Sequence, residues 1–206
     1  MPPPAAMKLS STAIHTLPPM PLRRFTVEEY RRFGEVGVLT ADDRVELLDG
    51  WIVEKMVHNP RHDATVDKAH QSIRALLSSS WRVRVQSAIA TDRSEPEPDL
   101  AVVRAAADWY ATRHPGADDI ALLVEVADTS LARDRDVKLS VYARAGIPLY
   151  WIVNLLDDRV EVYAGATGLG DSARFATRRD FSRGERVPLT IGGLALGELA
   201  VGDLLA

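Results

Sequence analysis

The sequence predicts a mixed α/β (α+β) fold, with one β-sheet flanked by helices. Three observations carry this. Apolar extended runs, IALLVEV at 120–126 and LYWIV at 149–153, interleave with two stretches of helical periodicity at 61–78 and 134–145. Asp49-Gly50 separates two further extended runs, the strongest short hairpin signal. No internal repeat of 20–50 residues is present, which argues against a solenoid or propeller. The 206 residues are 46% hydrophobic and 26% charged, enough for one domain with a core that needs no staples.

The elements follow in order. Residues 1–24 hold six of the twelve prolines and no apolar signal core, and read as a disordered Pro-rich tail ahead of a single domain over 25–206. Thr26 and Glu29 have capping-box spacing and open a short helix through about Phe33. Residues 44–57 form the hairpin around Asp49-Gly50. In the helix from Arg61 to Ser78, Val66, Ala69, Ile73, Leu76 and Leu77 make the apolar stripe. Arg82–Ile89 alternates as a half-exposed strand, and Pro98–Val103 is a strand with proline at its entrance. Residues 104–119 form a loop or short helix. Ile120–Val126 is apolar on both faces apart from one glutamate, as a doubly covered central strand is. A helix over Asp134–Ala145 ends at Gly146 with Pro148 beyond it. Leu149–Val153 is a buried strand, Val160–Tyr163 pairs after Asp157-Asp158, and Gly-rich turns with short strands complete the chain.

Composition excludes several chemistries. With no cysteine there are no disulfides, thiolate zinc sites, iron–sulfur clusters or cysteine nucleophiles. Lys+Arg 25 against Asp+Glu 29 gives a net charge of −4, which argues against a basic nucleic-acid coat protein but leaves room for a local phosphate-binding patch. No run approaches 18 apolar residues, so no membrane span is expected, and a cytoplasmic protein is. Phosphate loops, dinucleotide fingerprints and the G-x-S-x-G elbow are all missing.

Chemistry is signalled by acids in the wrong surroundings. Glu125 lies inside IALLVEV, where a buried carboxylate costs several kcal/mol unless paired, protonated or metal-bound. Asp99 follows Pro98 at the start of another apolar strand, and Glu46 sits in VELL. Each alone reads equally as a strand-end acid bonded to a turn or an arginine. Together, from three extended segments, they suit Mg²⁺ or Mn²⁺. Asp134, Lys138 and Tyr142 share one helix face. Asp134 and Lys138 read either as an exposed ion pair or, if that face covers the Glu125 strand, as an ammonium aimed at the metal.

At these residues the chain resembles a known family. ELLDG (46–50), PRH (60–62), EPDLAVV (97–103), LLVEVADTS (122–130) and DVKLSVYARAGIPLYWIVN (136–154) look like the Uma-two family, a restriction-endonuclease-like group of the PD-(D/E)XK nuclease superfamily. The resemblance covers roughly residues 22–205. It implies a restriction-endonuclease-like mixed sheet flanked by helices, and hydrolysis of DNA phosphodiester bonds by a divalent-metal-dependent endonuclease. Asp99 and Glu125 would bind Mg²⁺ or Mn²⁺, with the Val126 carbonyl as a further ligand. Glu46 matches the family's N-terminal acid, a ligand of metal or water. His62 matches a recurrent histidine near the site, and Lys138 the lysine of the following helix. The superfamily's usual lysine, two residues after the second acid, is Ala127 here, so Lys138 must replace it from the helix. Where the family often carries an acid after the turn glycine, this chain has Trp51.

The remaining candidates read more plainly. His62 and His70 are eight residues apart, too far to grip one ion from one helix. His15, His58 and His114 read as loop or tail residues. Arg82, Arg84, Arg133 and Arg135 read as solvated faces that also suit a DNA backbone. Trp109, Tyr110, Tyr150 and Trp151 read as core or interface. The expected partner is DNA, and a two-fold homodimer follows by analogy from the need to cut two strands. The competing reading is a catalytically inactive nuclease-fold module that binds nucleic acid or a protein partner. A third is a small-molecule phosphoesterase, which would have a closed pocket rather than an open groove.

Overall fold

The computed structural model describes residues 22–206, so the reading of residues 1–21 as a tail lies outside the described residues. The first helix, α1 (Val27–Glu35), starts as its capping box dictates. Thr26 accepts the Glu29 N–H at 3.1 Å, and the Glu29 carboxylate accepts the Thr26 N–H at 3.0 Å. A hairpin of β1 (Val45–Leu48) and β2 (Trp51–Glu54) follows. Its two turn residues, Asp49 (φ 48°) and Gly50 (φ 80°), are both left-handed, as the tightest hairpin turns require. Next is α2 (Pro60–Leu76), capped by Asn59 with proline at its first position; Val66, Ala69 and Ile73 are its buried stripe.

A six-stranded sheet forms the centre. It comprises β3 (Trp81–Val85), β4 (Leu100–Arg104), β5 (Ile120–Ala127), β6 (Leu149–Asn154), β7 (Arg159–Thr167) and β8 (Arg174–Ser182), in that spatial order. All neighbours are antiparallel except β5 and β6. That one parallel pair needs a crossover. It is supplied by helical chain in three pieces: α3 (Leu131–Arg133), a π-helical stretch (Asp134–Lys138) and α4 (Leu139–Arg144). A ribbon of β9 (Arg186–Ile191) and β10 (Leu194–Ala200) and the short α5 (Val201–Leu204) complete the chain.

The crossover covers one sheet face, packing Val141 and Tyr142 against Leu123, Tyr150 and Ile152. On the other face α2, β9, β10 and α5 enclose a second apolar layer around Trp151 and Val153. Caught between them, β5 is buried at all eight positions, as its apolar run predicts.

Several boundaries differ from the sequence reading. The strand expected over 82–89 stops at Val85, because Gln86 turns left-handed (φ 43°). The crossover begins at Leu131 rather than Asp134, and its second piece is π-helical. Trp109, read as core or interface, is 67% exposed and so lies outside the core.

Candidate active site

Strand register brings the two central acids together. Leu100 pairs with Val124, so one further step sets Asp99 opposite Glu125 on the same sheet face. Another step would bring Pro98, which has no N–H, opposite Val126. Instead Asp99 Oδ2 accepts the Val126 N–H at 2.8 Å, so the proline at the strand entrance turns a ladder position into a carboxylate site. Glu46 arrives from β1, which lies along the chain leading into β4. The Glu95 N–H donates to the Leu47 carbonyl at 2.8 Å, and the Glu97 N–H donates to Glu46 Oε2 at 3.1 Å.

The crossover delivers the cation. Lys138 Nζ donates to Glu125 Oε1 at 2.9 Å and lies 3.5 Å from Glu46 Oε1. Tyr142, one turn on, donates its hydroxyl to the same Glu125 oxygen at 2.7 Å. Asp134, one turn back, is buried and accepts from Ser130 Oγ at 2.6 Å. The face shared by Asp134, Lys138 and Tyr142 therefore looks inward, and Asp134 and Lys138 are not a surface pair. Their stretch is π-helical, a geometry that recurs at functional sites.

The start of α2 delivers two imidazoles. His62 Nε2 is 3.2 Å from Asp99 Oδ2 and Nδ1 is 3.3 Å from Asp63. His58 stacks on His62 with ring centroids 4.1 Å apart, and its Nδ1 faces the Gln86 amide at 3.2 Å. His58, His62 and Asp99 each present a ligand atom within 4.8 Å of the others, among the described residues the one group of three with that geometry.

The protonation states follow from burial and partners. Burial pushes Glu125 up to about 8 against the pull of Lys138. Burial also raises Asp134. For Lys138, burial opposes the charge, but the carboxylates of Glu125, Glu46 and Asp134 outweigh it and keep the ammonium protonated. Asp99 stays below the usual carboxylate range despite burial, because His62 and the Val126 N–H bond its charged form. His62 is raised in return, the Asp99 bond and charge overcoming desolvation. Desolvation and the neighbouring His62 push His58 down.

Glu46, His62, Asp99, Glu125 and Lys138 all line one cleft of about 260 Å³, which Asp134 and His58 also reach. Four carboxylates here are at most 6% exposed, against one ammonium and one imidazole equally buried. Counted as ionised, and with His62 protonated, the group is two negative charges in excess; Glu125, pushed up to about 8, sheds one of them by holding a proton while no cation is there. That is the surroundings a divalent cation fits, since unpaired buried charge is otherwise strongly unfavourable.

Comparison with known proteins agrees with this architecture. A family model described as "Putative restriction endonuclease", Uma2 (Uma-two), matches residues 27–196. The chain belongs to the Uma2 family. Among solved structures, a protein from Anabaena variabilis titled "a putative nuclease belonging to DUF820" aligns with a TM-score of 0.61 and 15% identity, covering 87% of this chain and 97% of that one. At that identity the likeness is one of fold. No curated protein matches the chain.

Within this Uma2 chain, two cleft residues escaped sequence reasoning. His58 reads as a loop residue, and so it is, but it stands four residues before His62. The i, i+4 pairing sought between His62 and His70 lies on the other side, across the Asn59 cap. Gln86 carries no sequence signal; its left-handed backbone turns it into the cleft, where its N–H also donates to the Asp99 carbonyl at 3.0 Å. Arg135, read as a solvated face, is committed to Glu161, and Arg133 donates to the Glu54 carbonyl at 2.7 Å.

Proposed function

We propose that the cleft hydrolyses phosphodiester bonds of DNA with a divalent ion, Mg²⁺ or Mn²⁺, held by Asp99 and Glu125 with support from Glu46. The observation that carries this reading is the set of four carboxylates, Glu46, Asp99, Glu125 and Asp134, in one cleft where Lys138 and His62 are the only buried basic groups among the described residues. Nuclease family and nuclease fold supply the reaction class.

When bound, such an ion lowers the pKa of a water and offsets charge on the phosphate. The chain's own groups do the rest. Lys138 remains protonated, so it acts as a donor and not as a base: pinned between Glu125 and Glu46, its ammonium orients the attacking water and neutralises developing phosphate charge. This is the task of the lysine that the superfamily places at the position of Ala127. Tyr142 fixes the Glu125 carboxyl rotamer from the far side. His62, oriented by Asp99 and Asp63, holds a proton at the cleft wall, where it would serve as an acid toward the leaving group.

The test is cleavage of plasmid and linear DNA by purified protein with Mg²⁺ or Mn²⁺, against an EDTA control. Asp99→Ala and Lys138→Ala, checked for folding by circular dichroism, should lose cleavage by at least 100-fold. Equal cleavage by the variants would reject the reading. Nucleic-acid binding without turnover by the wild type, whatever the ion, would favour an inactive binding module instead.

A further inference from the structure

The outer edge of the sheet carries a set of residues that the cleft does not use. β3 pairs only with β4, so it is an edge strand. Arg84 pairs with Ala101 and Arg82 with Val103. These positions alternate with Asp99, so both arginines share the sheet face of Asp99 and Glu125. Gln86, which bonds the Asp99 carbonyl, continues the row into the cleft. Members of the row are two residues apart, ~7 Å along a strand, a spacing close to that of successive phosphates on an extended nucleic-acid strand.

Neither arginine makes an ion pair among the described residues, and the Nε of each is buried with no hydrogen-bond partner. Each guanidinium is only half covered, so its outer N–H groups are open to water or to an anionic ligand. The Arg82 guanidinium carbon lies 3.1 Å from the centroid of the Trp109 ring, and that of Arg84 lies 5.9 Å from the centroid of Tyr110. Trp109 (φ 57°) and Tyr110 (φ 61°) are consecutive left-handed residues, a conformation bulky side chains rarely adopt. Tyr110 is anchored by burial and by its hydroxyl, which donates to the Arg104 carbonyl at 2.9 Å. The strained turn thus holds the exposed Trp109 indole beside the arginine row, where it adds nothing to the core.

We propose that Arg84, Arg82 and Trp109 form a track that takes a single nucleic-acid strand running out of the cleft. Its phosphates lie on the two guanidiniums, whose planar forks match phosphate oxygens. A base stacks on Trp109, as any base stacks on an indole. A duplex keeps its bases stacked inside, so the track selects an unpaired strand. The inference rests on the nuclease reading of the cleft and names the form of substrate it receives.

The experiment is fluorescence anisotropy of a labelled oligothymidylate 20-mer titrated with the full chain in EDTA, over a range of salt. Arg82→Gln/Arg84→Gln should weaken binding at least tenfold and reduce the slope of log K against log salt by about 1.4, two single-strand phosphate contacts' worth. Trp109→Ala should weaken binding about tenfold with the slope unchanged, and Trp109→Phe should recover most of it. A hairpin duplex of equal length should compete poorly. Wild-type affinity and slope in the double variant, or equal competition by the duplex, would overturn the proposal. If the double glutamine variant does not fold, Arg82→Lys/Arg84→Lys carries the test: affinity should fall while the slope stays, and unchanged affinity overturns it. Metal-dependent cleavage with unaltered binding by the variants would remove the track and leave the nuclease. Binding lost in the variants, with no cleavage by the wild type, would do the reverse. A wild type that binds no oligonucleotide would end the track alone, since cleavage of duplex DNA decides the nuclease reading.

Discussion

Glu125 sits in the middle of an apolar strand only because Lys138 and Tyr142 answer it, and both bonds go to one of its two oxygens. Lys138 is the only ammonium among the cleft's buried groups. Replacing it with methionine takes the nearest counter-charge from Glu125 and Glu46, and removing one partner of a buried pair typically costs about 3–5 kcal/mol. Lys138→Met should therefore lose about that much stability in urea unfolding in EDTA, and millimolar Mn²⁺ should restore part of it. A loss below about 1 kcal/mol would mean that the carboxylates are not charged as argued. Tyr142→Phe removes one hydrogen bond to the same oxygen and should cost less, about 1.5–3 kcal/mol. At this scale the site was legible for a physical reason: an acid in an apolar strand is a local misfit visible in seven letters. His58 has no such misfit, since its stacking on His62 depends on how the chain turns at Asn59.

Another buried strand acid, Glu161, shows what separates a site from a structural network. It is fully buried on β7, yet Arg135, Arg178, Asn154 and Tyr163 all bond or face its carboxylate. Two guanidiniums neutralise it, so it has no charge left for a ligand. Burial pushes its pKa up, but the bonds from Arg135, Asn154 and Tyr163 outweigh this and hold it below the usual 4.5. A depressed carboxylate stabilises the fold above its unfolded value and loses that stabilisation as pH falls through its folded one. Glu161→Gln should thus cost about 3 kcal/mol at pH 7, and the gap to wild type should close as pH drops below 4.5; a gap constant with pH would show that the charge contributes nothing. Turn geometry gives a second contrast between elements. A Cβ at Gly50 (φ 80°) would sit 2.6 Å from Arg24 Cβ and 3.1 Å from the Phe25 carbonyl, whereas one at Gly146 (φ 74°) meets nothing within 4 Å. Gly146→Ala should cost only the backbone penalty, ~1 kcal/mol. Gly50→Ala should cost clearly more and, by shifting the hairpin that carries Glu46, weaken Mn²⁺ binding as well. Equal losses of stability in calorimetry would mean that the turn yields to the added Cβ, and a larger loss with unchanged Mn²⁺ affinity would place Glu46 outside the cation's reach. Strands and helices were readable from periodicity and turn chemistry. The π-helical stretch was not, because Asp134, Lys138 and Tyr142 keep ordinary helical spacing and carry no signal of a widened turn.

Across the whole molecule, net charge and local charge point in opposite directions. The chain is acidic at −4, yet Arg82 and Arg84 stand at the sheet edge with no ion-pair partner among the described residues, while the carboxylates are buried in the cleft. Fold class was legible because the apolar runs, the crossover and the Asp-Gly hairpin each have one low-cost arrangement. How an edge strand would aim its arginines was not, because register decides it. Buried excess charge makes stability a direct readout of the ion. Anything that binds the folded state alone stabilises it by RT ln(1 + [L]/Kd), about 2.7 kcal/mol at a hundredfold excess over Kd. For a domain of this size that is roughly 5–10 °C in thermal midpoint. Mn²⁺ should give this shift relative to EDTA, and Mg²⁺ a smaller one, because Mg²⁺ gives up its hydration water reluctantly. Asp99→Asn should abolish the shift for both ions. Its charge is gone, while the midpoint in EDTA falls little because the Val126 N–H can still be accepted by the amide oxygen. Potassium chloride at matched ionic strength should not reproduce the effect, since screening reaches buried pairs weakly. If no divalent ion moves the wild-type midpoint at millimolar concentration, the cleft's carboxylates are neutralised by protons instead, and the metal-dependent reading fails while the fold stands.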